Sequence, residues 1–415
     1  MIKSNFMEKL LEGVEVEWKL LSEVGELVRG NGLPKTDFTE YGIPAIHYGQ
    51  IYTYYGTFTT ETKSFVSYET AKKLKKVDTG DVVITNTSEN LEDVGKSVVY
   101  LGKVQAVTGG HATIFKPSNQ IIGKYFAYYT QTDMFAIQKK KYAKGIKVID
   151  VSATDMSKII IPIPPIEVQE EIVRILDNFS ELTAELTAEL TAELTARKKQ
   201  YKYYRDKLLT FEEGEVEWRT LREVALEFGR GKSKHRPRND SKLYGGNIPF
   251  IQTGDIRNAP HIIREFTQTY SKFGLEQSKL WPKGTLCITI AANIAETAIL
   301  GFDSCFPDSI IGFVANPQKT SSSYVEYLLT SYKSKLRSKS TGSAQENINL
   351  STFERLLLPF PTLEEQESIV SILDKFDALT NSITEGLACE IELRQKQYEY
   401  YRNMLLSFPK EEVEE

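Results

Sequence analysis

The chain is poor in the residues that usually carry chemistry. Its 415 residues include three cysteines, Cys287, Cys305 and Cys389, far apart and odd in number. A disulfide framework is therefore not expected, and the compartment reads as reducing and cytoplasmic. Four histidines, His47, His111, His235 and His261, show no metal-ligand spacing with each other or with the cysteines. No apolar run approaches the roughly 18–20 residues of a membrane span. The opening MIKSNFMEKLLEG lacks the apolar core of a secretory signal. GKS occurs at 231–233, but a phosphate-binding loop needs glycine five residues earlier, where Leu226 stands. No Ser/His/Asp or Cys/His grouping emerges, so an enzyme in its own right is not expected.

Two things are abundant: segregated charge and internal repetition. The net charge is −5, but its distribution is uneven. Residues 29–147 hold 16 Lys/Arg against 10 Asp/Glu, and residues 229–339 hold 16 against 8. Residues 164–196 hold eight acids and one base, Arg174. Two basic blocks flank an acidic one, and basic blocks of this size suit phosphate contacts.

The basic blocks sit within a tandem duplication. EVEWKLLSEV (15–24) matches EVEWRTLREV (215–224). IPIPPIEVQEEIVRILDNFSELT (161–183) matches LPFPTLEEQESIVSILDKFDALT (358–380), and RKKQYKYYRDKLLTF (197–211) matches RQKQYEYYRNMLLSF (394–408). Between these blocks only a framework agrees: GIPAIHYGQI (42–51) with NIPFIQTGDI (247–256), and GDVVIT (80–85) with GTLCIT (284–289). The pattern predicts two domains of one fold with different surfaces. MEKLLEG near the start resembles the end of the first repeat, RDKLLTFEEG, so the two ends of the chain are expected to meet in a circle.

After Pro164-Pro165, Val168, Ile172, Ile175, Phe179, Leu182 and Leu186 form a heptad seam. It continues through Leu190, Leu194, Tyr201, Tyr204 and Leu208. The second copy reads Ile369, Ile372, Phe376, Leu379, Ile383, Leu387, Ile391, Tyr398, Tyr401, Leu405, with Gly386 a weak point. Each predicted helix runs about 40 residues, roughly 60 Å, and the two are expected to pair antiparallel and hold the domains apart. Within the first, TAEL repeats in tandem across 183–196. One such unit adds about 6 Å of helix and about 40° beyond a full turn, so leucine stays near the seam. It reads as a length adjuster, or, more plainly, as a coiled-coil spacer.

This layout resembles the specificity (S) subunit of type I restriction–modification enzymes, in particular the IC-like subclass with TAEL tetrapeptide repeats. The resemblance spans about Met7 to Phe408. It implies an α+β fold: two similar globular target recognition domains separated by two long antiparallel helices, in a pseudo-two-fold, circular arrangement. The expected segments are 1–24, an N-terminal conserved segment; 25–160, the first recognition domain; 161–213, the central helix; 214–357, the second recognition domain; and 358–415, the C-terminal helix. Each domain would read one half of a bipartite, asymmetric target in double-stranded DNA. The helices would set the unread gap, around six to eight base pairs, and dock two modification (methyltransferase) subunits. Two restriction (translocase/nuclease) subunits would complete the complex. In such families, members that differ in repeat number differ in gap length. S-adenosylmethionine, ATP and magnesium would belong to those partners, with no cofactor and no metal in this chain. The lack of an [NDS]-P-P-[YF] methyltransferase motif fits that division.

Phosphate contacts are expected from GRGKSKHRPR (229–238), with Arg230, Lys232, Lys234, Arg236 and Arg238. KKKYAKG, with Lys139, Lys140 and Lys141, and KSKLRSKSTG (333–342) occupy equivalent places in the two halves. Base reading needs amides, hydroxyls, guanidinium groups and aromatics. The divergent tips after the shared Ile-Pro-x-Ile supply His47, Tyr48, Gln50, Tyr52 and Tyr54 in the first domain, and Gln252, Thr253, Asp255 and Arg257 in the second. A second tip offers Asn86, Thr87 and Ser88 against Asn293, and Gln345 and Asn349 follow Gly342. Taken singly, residues of these types are more often turn or hydrogen-bond fillers than base readers. Two other readings stand beside the leading one: a stand-alone DNA-binding regulator with tandem reading domains, and a coiled-coil adaptor.

Overall fold

The computed structural model describes residues 14–212, 214–290, 295–340, 350–381 and 386–408, with backbone alone at 334–340 and 381. The chain divides into two compact units: Met1–Thr187 with Leu393–Glu415, and Ala188–Glu392.

In the first unit, the apolar runs VVIT and SVVY are too short for helices. They become the strands Val82–Thr85 and Ser97–Tyr100, every residue buried. They sit in a five-stranded sheet ordered Gly25–Arg29, Ala112–Pro117, Val82–Thr85, Ser97–Tyr100, Phe58–Thr59. Only the last pair is parallel. A second sheet is ordered Phe38–Thr39, Ser64–Val66, Ile43–Ile46, Ala106–Thr108, Lys75–Val77. A separate ribbon pairs Glu17–Leu20 with Ile160–Ile163, Trp18 opposite Pro162.

The second unit repeats this plan. Its larger sheet is ordered Ala225–Arg230, Ile310–Ala315, Leu286–Thr289, Thr297–Leu300, Ile262–Ile263. The smaller one is ordered Gln268–Tyr270, Tyr244–Phe250, Ser304–Cys305, Leu280–Trp281, one edge strand fewer than in the first unit. Its ribbon sets Trp218 opposite Pro359. The aligned Gly80 and Gly284 turn at φ +94° and +85°, where a side chain would be strained.

The central helix, Ile166–Leu208, starts directly after Pro164-Pro165, which keeps the preceding backbone extended. It is unbroken for 43 residues, about 65 Å, and runs straight through the tetrapeptides. Leu186, Leu190 and Leu194 are half-buried, whereas Leu182 is 51 % exposed. At its start the buried stripe is Val168, Ile172, Val173 and Leu176, with Ile175 only partly covered. Leu373, not Ile372, is likewise buried in the second copy. The heptad reading misplaced the seam by one residue here, because this end of each helix faces its own domain's core.

The second long helix differs from its expectation. It is two helices, Leu363–Asn381 and Leu387–Leu405, and Gly386 stands at φ +88° ahead of the second. A right-handed helix cannot continue through that conformation. Ile383 of the proposed seam lies outside the described residues.

The last described helix, Leu387–Leu405, completes the first unit. Phe179 stacks on Tyr401 at 5.6 Å and 5°, and Ser180 Oγ meets Tyr398 Oη at 2.9 Å, an antiparallel register. Leu405, Leu406 and Phe408 join the core of Ile172 and Leu176. Arg402 donates to Gln131, and the side chain of Asn403 both accepts from and donates to Asp133. In the second unit the end of the central helix takes this role: Tyr204 stacks on Phe376, and Leu209 is buried with Ile369 and Leu373. The circular arrangement is thus built into both cores. The MEKLLEG segment, whose likeness to the end of the first repeat pointed to it, lies outside the described residues.

Candidate nucleic-acid interface

Both domains carry the same construction at the end of the Ile-Pro-x-Ile strand. In the first, Ala45 and Ile46 are buried, and the chain then turns at His47 into the short helix Tyr48–Thr53, held down by Ile51. His47 Nδ1 accepts from the Gly49 N–H at 3.2 Å. Gln50 Oε1 accepts from the His47 N–H at 3.4 Å, and Gln50 Nε2 donates to Ser64 Oγ at 2.6 Å. In the second domain, Gln252 takes the place of His47 at the head of the helix Thr253–Asn258. Asp255 takes that of Gln50: its Oδ2 accepts from the Gln252 N–H at 2.8 Å and its Oδ1 from Thr267 Oγ1 at 3.0 Å.

Around each tip the same loops converge. In the first domain they bring aromatic and imidazole rings together, Phe38 edge-on to His47 and Tyr48 tilted against both His47 and His111. His47 lies 4.5 Å from Tyr48 and 5.5 Å from Phe38, and Tyr48 lies 4.9 Å from His111. His111 comes from the turn after Ala106–Thr108, and its Nδ1 is 3.0 Å from Thr87 Oγ1. Burial first, and then the charges of Lys35 and His111, hold the His47 imidazole below its ordinary pKa. Lys35 is exposed, and Arg29 donates to the Gly110 carbonyl beside His111.

The second domain shows a cleft of about 200 Å³ at this place, bordered by Ser233, Arg238, Gln252 and Gln268 over the stacked Phe250 and Tyr270. Gln252 Nε2 donates to Gln268 Oε1 at 2.6 Å. Arg238 makes a two-pronged ion pair with Asp308 at 2.9 and 3.1 Å, and Arg236 donates to the Ser233 and His235 carbonyls. Arg230, Lys232 and Lys234 are exposed.

The structure thus gathers His47, Tyr48 and Tyr52 in one domain, and Arg238, Gln252 and Thr253 in the other. Tyr54 is exposed with Lys63 Nζ over its ring at 4.6 Å, and Arg257, Lys140 and Lys141 are exposed. Other expected readers are structural. Asn86 is fully buried: its amide donates to the Val151 carbonyl and accepts from Thr113. Thr87 and Ser88 are buried and pair with the strand Ile149–Asp150. Lys139 is 7 % exposed and donates to the Val94 carbonyl at 2.7 Å, and burial pushes its pKa down to about 8. Gln50 and Asp255 cap their helices. Asn293, Gln345 and Asn349 lie outside the described residues. His111, Phe38, Gln268 and Ser309 were missed, since each meets its tip only through the fold. The TGGH turn (108–111) was the available signal.

A family model for the type I restriction modification DNA specificity domain matches residues 13–196 and again 213–393. The chain belongs to the type I restriction–modification specificity subunits. It is 34 % identical to the EcoR124I/EcoR124II specificity subunit of Escherichia coli, across 100 % of this chain and 99 % of that one. It is 35 % identical to the putative specificity subunit S.HindORF215P of Haemophilus influenzae, across 97 % and 98 %. A chain from a structure on complex assembly and conformational transition of the type I R-M system shares the fold, with TM-score 0.67, 15 % identity and coverage of 94 % and 97 %. So does the HsdS subunit from Thermoanaerobacter tengcongensis, with TM-score 0.54, 15 % identity and coverage of 94 % and 95 %. Specificity subunits are non-catalytic members of their complexes and work with DNA and the other subunits. Among the described residues no helix is long and apolar enough to cross a membrane.

Proposed function

We propose that each recognition domain of this specificity subunit reads one half of a bipartite, asymmetric DNA target. The observation that carries the reading is the repeated frame with unlike tips. The order of the larger sheet, the turn glycines and the short helix at each tip agree between the domains, whereas the groups at the tips change from imidazole and phenol to amide and guanidinium. A frame used twice gives two equivalent seats for two methyltransferase subunits. Unlike tips give two unlike half-sites. Cations beside the tips, Arg29 and Lys35 in one domain and Arg230, Lys232 and Lys234 in the other, suit phosphate contacts that fix register.

The central helix sets the unread gap, in the manner of the TAEL-bearing IC-like subclass. Its continuity through the tetrapeptides supports this, because a rigid rod transmits a change of length. Removing residues 187–190 shortens the helix by about 6 Å, one to two base-pair steps of about 3.4 Å. Methylome sequencing of cells carrying that deletion is expected to return both half-sites intact with a shorter gap. An unaltered gap contradicts the ruler. The stand-alone regulator is not favoured, since the relatives above are subunits of restriction–modification complexes.

A further inference from the structure

We propose that His111, together with His47, supplies the base-reading hydrogen-bond donors of the first domain, each through Nε2–H, to acceptor atoms on the major-groove edge of a purine. The proposal rests on the reading that this domain recognises one half-site.

A hydrogen bond sets the tautomer of His47. A backbone N–H can only donate, so the Gly49 N–H bonded to His47 Nδ1 requires a lone pair on that atom. The neutral ring then carries its proton on Nε2. Protonating Nδ1 would break this helix cap, and burial and the charge of Lys35 oppose it as well. His47 is therefore held as a neutral donor. In His111, Nδ1 faces the buried hydroxyl of Thr87 at 3.0 Å. With that hydroxyl donating, the proton again stands on Nε2. The ring of His111 is exposed, and Tyr48 lies between the two imidazoles, touching both.

The placement matches the tip of the second domain. The His111 turn occupies the position that Pro307 to Ser309 occupy beside the cleft of the second domain. It is braced from behind: Gly109 bridges to Asn31, a Cβ at Gly109 or Gly110 would crowd Leu33 or the Asn31–Gly32 backbone, Arg29 donates to the Gly110 carbonyl, and the Asn86 N–H donates to the His111 carbonyl. A ring held on such a support loses little freedom on binding. Major-groove N7 of either purine and O6 of guanine are acceptors only, matching a donor-only pair. The second domain presents amides, which both donate and accept, so the two halves differ in the base edges they suit.

The test uses the assembled methyltransferase complex with His111→Ala and, separately, His47→Asn, which keeps a capping side chain. Methylome sequencing is expected to show one position of a single half-site relaxed by His111→Ala, with the other half-site and the gap unchanged. Binding to the cognate duplex is expected to fall roughly three- to tenfold. A 7-deazapurine at the relaxed position should cost the parent complex a similar factor and the His111→Ala complex nothing further. An unchanged motif with a lowered melting temperature assigns His111 a purely structural role and overturns the proposal, as does a 7-deaza penalty that persists in His111→Ala. Relaxation in both half-sites would instead overturn the reading of one domain per half.

Discussion

The two recognition domains agree where they hold their helices and disagree where they end in tips. Tyr125 donates to the Pro162 carbonyl at 3.0 Å and Tyr324 to Pro359 at 3.1 Å. Tyr128 donates to Asp177 and Tyr327 to Asp374. Gln169 and Gln366, both buried, each donate to a carbonyl just before the helix, that of Pro164 or Pro361. None of these bonds is at a tip. A buried polar group without its partner is costly, so such bonds tolerate little variation. At the tips His47, Gln50 and Asp255 cap their short helices, whereas side chains such as Tyr52, Thr253 and Arg257 can be exchanged with the frame still satisfied. On the proposed reading, docking belongs to the shared frame and base reading to the tips.

One prediction attacks the shared frame. Gln169→Ala strips partners from the Ile122 N–H and from the Gln120 and Pro164 carbonyls. It should destabilise the first unit by roughly 3 kcal/mol, and Gln366→Ala should do the same to the second. Amide hydrogen exchange on the purified subunit would locate each loss. Protection falling in the unmutated unit instead would mean that the frames are not separable.

A smaller effect sharpens the contrast, because one buried pair has no counterpart. In the second domain Glu326 meets His261 Nδ1, and the imidazole stacks on Tyr327 at 5.5 Å. Counting from the matched tyrosines, the first domain has the buried Ala127 in place of Glu326. Burial pushes the Glu326 carboxyl up to about 7, although His261 pulls it back. Burial alone would lower the imidazole of His261, but the hydrogen bond and charge of Glu326 outweigh it and raise the pKa. Both groups bind protons more tightly folded than unfolded. Their contribution is complete below the ordinary carboxyl value of 4.5. It is lost as pH rises through about 7, and His261 extends the loss above 6.5. Stability of the second unit should therefore fall across that window, and Glu326→Gln should flatten the slope. Denaturant melts at stepped pH measure it, and a slope that survives in Glu326→Gln would place its source elsewhere.

The duplication, the α+β class and the helix start at Pro164-Pro165 were legible in the sequence, because hydrophobic spacing and proline act locally. Less legible were features set by tertiary contact. Asn86 reads as an exposed polar tip, yet the residues that cover it, Thr113 and Val151, lie far along the chain. Lys139 reads as a phosphate contact, but the helix Asp133–Tyr142 lays it against residues 92–95, where it donates to the Val94 carbonyl. His111 is marked in the sequence only by its TGGH turn and gains meaning from Tyr48, 63 residues earlier. Gly386 was visible as a weak point, but its left-handed φ, and the separate helices on either side of it, follow from the backbone alone.

The central claim is that reading is confined to the tips and is independent in each domain. Exchanging residues 25–160 for the same segment of another specificity subunit, then sequencing the methylome, tests it most directly. One half of the recognised motif should change while the other half and the gap persist. A change in both halves, or in neither, would contradict the account.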